Sequence, residues 1–169
     1  MGVGAWTATW RRHVNAAGKV SATIRPASPA DVAVVAGIEC ASFGDPWSED
    51  AFRELLEMRD AIFLVATRGI PEMVRGYVIA RVVADEADVL NIAVAPAERG
   101  RGLGGELLDA GLAAVTHRGA REVFLEVRES NLAGLALYGS REFMTVSRRS
   151  RYYRNPVEDA LLLRRAIEG

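Results

Sequence analysis

The 169-residue chain contains one cysteine, Cys40, two histidines, His13 and His117, and a single lysine, Lys19. One thiol excludes an internal disulfide framework and any multi-thiolate metal site, and two histidines so far apart make no histidine-rich metal centre, so the chemistry is expected to be metal-free. No apolar run approaches the roughly 18 to 20 residues of a membrane helix, and the first residues lack the basic-then-apolar order of a secretory signal. A cytoplasmic chain that touches no membrane is expected. What is present is half hydrophobic and one quarter charged, the profile of a soluble domain with a core of useful size.

The formal net charge of −1 conceals an uneven distribution. Residues 1–27 carry four basic and no acidic side chains, 28–98 carry five basic and thirteen acidic, and 99–165 carry twelve basic and eight acidic. An acidic first half joined to a basic second half suits a two-sided molecule, with one surface for cationic and another for anionic ligands. Overall the chain does not look like a nucleic-acid binder. Twenty of the 21 basic residues are arginine, a bias that bidentate phosphate contacts or a GC-rich genome would each produce.

Residues 1–19 hold Trp6 and Trp10 but no sustained period, and are expected to be an N-terminal extension, possibly disordered, before a domain spanning 20–165. Val20 to Arg25 reads as a first strand. Ser28-Pro29-Ala30-Asp31 has the chemistry of a helix start: a serine cap, proline in the first turn and a carboxylate three residues on. That helix should run to Ala41, and Trp47-Ser48-Glu49-Asp50 should open a second with Phe52, Leu55 and Leu56 on one side. Ile62 to Thr67 and Val74 to Val83 are β-rich runs that should pair antiparallel across Arg68-Gly69-Ile70-Pro71-Glu72. Val89 to Val94 is apolar enough to suggest a strand buried on both faces. A helix from Gly102 to His117, a strand from Val123 to Val127, a short helix from Leu132 to Tyr138 and strands near 143–153 and 159–164 complete the pattern. This is α/β with a mixed sheet, not a regular doubly wound one.

The most informative stretch is Asn91-Ile92-Ala93-Val94-Ala95-Pro96-Ala97-Glu98-Arg99-Gly100-Arg101-Gly102-Leu103-Gly104-Gly105: a strand, a loop, and glycines opening a helix. Glycines let backbone approach a ligand, and unpaired N–H groups of a first helical turn favour an anion. A Walker-type loop is excluded because no Lys-Ser/Thr follows the glycines. Gly100-x-Gly102-x-x-Gly105 fits the dinucleotide fingerprint, with Glu126 at about the right distance. Against it, Ala95 to Arg99 separate strand from glycine, and the chain after Gly105 is short for such a domain. A purely structural loop is the bland alternative, although this many glycines at a helix entry cost stability. The third reading is acyl-coenzyme A binding, through Arg99-x-x-Gly102-x-Gly104 after a strand ending in Ala-Val-x-Pro.

That segment resembles the signature of the GNAT acetyltransferases. Glu39 with Phe43, Pro46-Trp47-Ser48, Asp85-Glu86-Ala87, Leu125-Glu126-Val127-Arg128, Ser130-Asn131, Ala136-Leu137-Tyr138, Tyr152-Tyr153 and Glu158-Asp159-Ala160 fall in the order seen in the bacterial RimI-type ribosomal-protein alanine N-acetyltransferases, over roughly Val20 to Arg165. The resemblance implies the GNAT fold: a mixed, mostly antiparallel twisted sheet of six to seven strands, flanked by about four helices and splayed at an acetyl-CoA site. It implies that Ile92, Ala93 and Val94 pair with the pantetheine arm. Gly100, Arg101, Gly102, Leu103, Gly104 and Gly105 would hold the pyrophosphate. Asn131 would contact the cofactor, although capping a helix is its ordinary role. Arg99 and Arg101 would screen phosphates or stand as solvated loop arginines.

In the same way Glu126 is implied as general base and Tyr138 as general acid, although alone the first reads as a surface charge and the second as core. The implied acceptor is a protein N-terminal alanine, most specifically of a small-subunit ribosomal protein. A lysine side chain or small amine, or a catalytically weak acyl-CoA-binding module, are the alternatives. No direct nucleic-acid partner is expected, and the chain should be a monomer or weak homodimer. The family's acceptor side lies around Phe43 to Phe52 and a late hairpin with Tyr152 and Tyr153; Trp47 and Phe52 read more simply as core. Arg148, Arg149, Arg151 and Arg154 read as a solvated hairpin face, Cys40 as a buried small residue and His117 as a helix-end group. One departure stands out: Glu142 occupies the position where the family's turn after its tyrosine has glycine, so a positive φ there would be strained.

Overall fold

The computed structural model describes residues 22–69 and 72–167; the proposed extension 1–19 lies outside them, as do Val20, Ile70 and Pro71. In chain order the elements are β1 (Thr23–Pro26), α1 (Val32–Cys40), α2 (Glu49–Glu57), β2 (Ala61–Arg68), β3 (Met73–Val83), β4 (Glu86–Val94), α3 (Leu103–His117), β5 (Glu122–Arg128), α4 (Leu132–Gly139), β6 (Met144–Arg154) and β7 (Val157–Ala166), with single 3₁₀ turns at Pro29–Asp31 and Pro96–Glu98. The order matches the sequence pattern. Local chemistry accounts for the helix starts: the Ser48 side chain accepts from Ala51 N–H, and Asp31 Oδ2 accepts from Ser28 N–H at 2.8 Å, so side chains satisfy donors that the helix leaves unpaired.

Seven strands form one sheet in the order β1-β2-β3-β4-β5-β7-β6. All neighbours are antiparallel except β4 and β5, which run parallel and pair only from Glu86–Glu122 to Val89–Leu125. Beyond that point the two strands separate. The cause is visible in the β3–β4 register, where Ala80 faces Val89 and Ile79 faces Asn91, leaving Leu90 as an extra residue. Such a bulge bends the strand and shifts its side-chain alternation by one. Before it, Ala87 and Val89 face the core beneath α3; after it, Ile92 and Val94 take that face and Ala93 joins the core beneath α1 and α2.

The two cores lie on opposite faces of the sheet. One packs Leu103, Leu107, Leu108, Leu112 and Val115 of α3 on Val78, Val123, Leu125 and Val127, and takes in Tyr138 and Phe143. The other packs Val32, Val35 and Ile38 of α1 and Phe52 of α2 on Phe63, Val65, Tyr77 and Ile79. Each fully buried aliphatic or aromatic side chain contributes roughly 1.5–3 kcal/mol. Phe52 and Trp47 pack as core aromatics, their rings 5.9 Å apart.

Two expectations are corrected. The run Val89–Val94 is not buried on both faces: Leu90 is exposed and Asn91, Ile92 and Val94 are half-buried, because α1 and α2 cover the sheet over β2 and β3 and stop short of β5. Cys40 is exposed, because the buried residue at the end of α1 is its neighbour Glu39.

Candidate active site

The separation of β4 from β5 opens a cleft with two walls. On the first, Ile92, Ala93 and Val94 pair with Val78, Tyr77 and Gly76 of β3 along one edge, while the β5-facing edge has no strand partner there among the described residues. Backbone N–H and C=O groups on that edge are left for a ligand, except Val94 C=O, which accepts from Arg99 Nε. The following loop reaches α3 through Gly100 at φ 71° and Gly102 at φ 86°, conformations that disfavour any side chain. Gly102 caps α3 without a side-chain bond, and the first intrahelical bond near this end runs from Glu106 N–H to Gly102 C=O. The N–H groups of Leu103, Gly104 and Gly105 therefore face outward from the first turn, at the positive end of the helix dipole.

Side chains around the loop keep this helix start in place. Leu103 is anchored in the core, Gly104 lies against Leu137 and Val94, and Gly105 sits beneath the Arg141 guanidinium, which pairs with Asp109 at 3.0 Å. Arg99 turns back from the loop: its Nε donates to Val94 C=O at 3.1 Å and its Nη2 to Ser42 Oγ at 2.9 Å. Arg101 is exposed, 3.8 Å from Glu98, and remains the more available cation.

The second wall is built from side chains. Glu126 is the first β5 residue past the last parallel pair and alternates outward from Leu125 and Val127. It is half-buried, with Oε1 2.8 Å from Arg149 Nη1, and its carboxylate beside the Tyr152 hydroxyl holds that phenol above its usual range. Tyr153 is pushed up to about 12, first by burial and then by the Glu126 charge, and Arg128 stacks 4.0 Å over its ring. Asp88 is also raised, by burial and then by Glu126. Tyr138, packed edge-on to Phe143, is pushed up to about 12, chiefly by burial and then by Tyr153. The Glu126 charge thus acts on Tyr152 and Tyr153, and Tyr153 in turn on Tyr138.

Asn131 caps α4, its Oδ1 accepting from Gly134 N–H at 2.9 Å, so half of its side-chain amide is already committed. The arginine cluster is a solvated hairpin face, with Arg148, Arg149, Arg151 and Arg154 all exposed, and two of its members are ion-paired: Arg149 engages Glu126, and Arg148 pairs with Glu129 and Asp159. Sequence reading gave Arg149 no part in the site, because β6 is brought beside Glu126 only by the pairing of both β5 and β6 with β7. Arg128 was missed for a different reason. It lies two residues past Glu126, on the same face, where it donates to Asn155 and Pro156 C=O and to Glu158, and a period of two would have marked it.

The loop between α1 and α2 closes the cleft. Gly44 approaches the β6–β7 turn so closely that a Cβ there would lie 3.1 Å from Asn155 O, and Ser42 is tied to Arg99. One wall thus offers backbone polar groups and an anion site, and the other a carboxylate and phenols that remain protonated at neutral pH. Such a cleft suits transfer of a group from a phosphate-bearing, amide-containing donor to an amine.

Comparison with known proteins agrees with this geometry. The model of the acetyltransferase (GNAT) family matches residues 32–143. A putative [ribosomal protein bS18]-alanine N-acetyltransferase of Bacillus subtilis is 35% identical over 146 residues, covering 86% of this chain and 95% of the relative. The [ribosomal protein bS18]-alanine N-acetyltransferase of Escherichia coli K12 is 34% identical over 143 residues, covering 83% and 95%. The crystal structure of the Escherichia coli ribosomal-protein-S18-alanine N-acetyltransferase superposes with a TM-score of 0.79 at 31% identity, covering 88% of this chain and 97% of that one. With its seven-stranded mixed sheet splayed between β4 and β5 and its glycine loop opening α3, the chain belongs to the GNAT family of acetyltransferases.

Proposed function

We propose that this chain acetylates the N-terminal amine of a protein that begins with alanine, most specifically a small-subunit ribosomal protein, using acetyl-CoA. The observation that carries the reading is the separation at Val89 and Leu125, which puts a free β4 edge and the Glu126 carboxylate at one point. The names of the relatives support the choice of acceptor. The catalytic domain in this reading spans 20–165, works in the cytoplasm, and needs no nucleic-acid contact.

Acetyl-CoA supplies the activated thioester. Ile92, Ala93 and Val94 offer their unpaired edge to the pantetheine amides, and Gly100 to Gly105, with Arg101, offer N–H groups and charge to the phosphates. Asn131 adds its free amide nitrogen. An α-amine has a pKa near 7.7–8.0, so a modest base is sufficient. Glu126 takes the amine proton, directly or through water, while Arg149 and Tyr152 hold its carboxylate in place. Tyr138, pushed up to about 12, stays protonated through the working pH range and donates to the departing thiolate sulfur.

Turnover of acetyl-CoA with an Ala-starting peptide, read by mass spectrometry, tests the assignment. Acetyl is expected on the terminal nitrogen. Acetyl on lysine Nζ instead, or binding without product that Glu126→Gln and Tyr138→Phe leave unchanged, overturns it. Acetyl-CoA should also raise the melting temperature, because it binds only the folded chain; a rise with NADH in its place would restore the dinucleotide reading. Small-subunit N-termini that stay the same with and without this chain would remove the named acceptor.

A further inference from the structure

Glu39 is the one glutamate deep inside the described residues, 1% exposed at the last turn of α1. Its carboxylate collects donors from three separate segments. Trp47 N–H in the α1–α2 loop donates to Oε1 at 3.1 Å, Asn91 Nδ2 on β4 reaches both oxygens at 3.1 and 3.2 Å, and the Tyr77 hydroxyl on β3 donates to Oε2. Burial and the Glu39 carboxylate push the Tyr77 phenol far above its usual range, so it remains a donor. A buried acceptor with this many donors is a rigid joint, since each donor would lose its partner inside the protein if the joint opened.

The place of the joint gives it a use. Asn91 directly follows the Leu90 bulge and directly precedes Ile92, so it stands at the point where β4 leaves β5. Trp47 ends the loop whose Gly44 meets the β6–β7 turn at Asn155 and whose Ser42 takes Arg99. We infer that Glu39 is a positioning residue for the acceptor: it locks the α1–α2 loop onto the bulged end of β4, and so fixes the mouth of the cleft against the strand that holds the acyl donor. The inference rests on the acetyltransferase reading of that cleft. Glu39 is too deeply buried to reach either reactant. The donor wall does not need it, because β4 is held from Gly76 to Ile79 by its own ladder with β3.

The experiment compares Glu39→Ala and Glu39→Gln with the unaltered chain. Glu39→Ala should raise KM for the Ala-starting peptide about tenfold or more while the acetyl-CoA Kd stays within about twofold. It should also speed hydrogen exchange at the Trp47 amide by about tenfold or more with the β3–β4 amides unchanged. Glu39→Gln, which keeps an acceptor oxygen and can bond the Tyr77 oxygen, should recover most of both losses. A peptide KM that stays at the original value in folded Glu39→Ala, or a parallel weakening of acetyl-CoA, overturns the inference. Should Glu39→Ala not fold, Asn91→Ala removes one donor, and a smaller rise confined to peptide KM is expected; no rise is the overturning result. Trp47 exchange and acetyl-CoA affinity need no turnover. An unaltered chain that acetylates nothing therefore breaks the acetyltransferase reading alone, while unchanged Trp47 exchange breaks this one.

Discussion

The proposed donor wall of the cleft is one continuous stretch, Ile92 to Gly105, and presents backbone: a strand edge without a strand partner, two glycines at positive φ and a helix start. The proposed acceptor wall draws Glu126 from β5, Arg149, Tyr152 and Tyr153 from β6, and a loop tied down by Glu39 from α1. A backbone site is specified by which residues lack side chains, and that information is local. A side-chain site is specified by which residues meet after the sheet has closed. The two walls should therefore fail separately under mutation.

The sharpest separation is expected at Glu126. Glu126→Gln keeps the shape and removes the proposed base, so kcat/KM for the peptide should fall by about 10²–10⁴. Calorimetry should find acetyl-CoA affinity within about twofold of the original. An equal loss in both would mean that the walls are one unit.

The converse experiment is Gly102→Val. A branched side chain at φ 86° costs about 1–2 kcal/mol of backbone strain, and relief of that strain turns the first-turn amides away. Acetyl-CoA affinity should fall about tenfold or more, whereas peptide KM at saturating acetyl-CoA should hold. A raised peptide KM with an unchanged acetyl-CoA Kd would assign Gly102 to the other wall.

The same contrast governs what the sequence made legible. Element order, the helix starts at Ser28, Ser48 and Asn131, and the glycine loop could be read because each depends on a few neighbouring residues. The splay was expected only through resemblance, and its physical cause, the extra residue Leu90, leaves no mark in an apolar run. That run was misread as buried on both faces, since a strand's apolar content does not say where the covering helices end. Glu39 was noticed only as one match among many, because a buried carboxylate is recognised by its donors, and these lie at Trp47, Tyr77 and Asn91. Cys40 was misplaced for the same reason: when Glu39 turns inward, its helical neighbour is carried outward.

A smaller effect is expected where the acceptor wall is rooted. Arg25 hydrogen-bonds Asp31 at 2.7 and 2.8 Å, and with Ser28 it holds that carboxyl down to about 2. A depressed folded-state value means that the stabilisation is complete above the unfolded value near 3.8 and is lost as pH falls through about 2. Discounted for the exposure of Arg25, the pair contributes about 1–2 kcal/mol. Asp31→Asn should lose that much by urea unfolding at pH 7 and flatten the stability profile between about pH 4 and 2, while acetyl-CoA affinity stays unchanged. A profile as steep as the original would mean that other carboxylates govern the acid limb.

The smallest effect concerns Tyr138, the proposed general acid, which is buried in the core beneath α3. Glu142, four residues on, adopts φ 64°, a conformation that costs a side-chain-bearing residue about 1–2 kcal/mol. Its compensation is slight: it is 84% exposed and 3.6 Å from Arg165, a pair that solvent screens. Glu142→Gly should therefore raise stability by about 1 kcal/mol, after the added freedom of the unfolded chain is subtracted. Activity should not change. Tyr138 C=O already accepts from Arg141 N–H at 2.9 Å and from Phe143 N–H at 3.2 Å, and its ring packs on Phe143, so its orientation is held on both sides of the strained residue. If kcat rose along with stability, the strain would be reaching the phenol, and the acid would be aimed by this turn instead of by the core beneath α3.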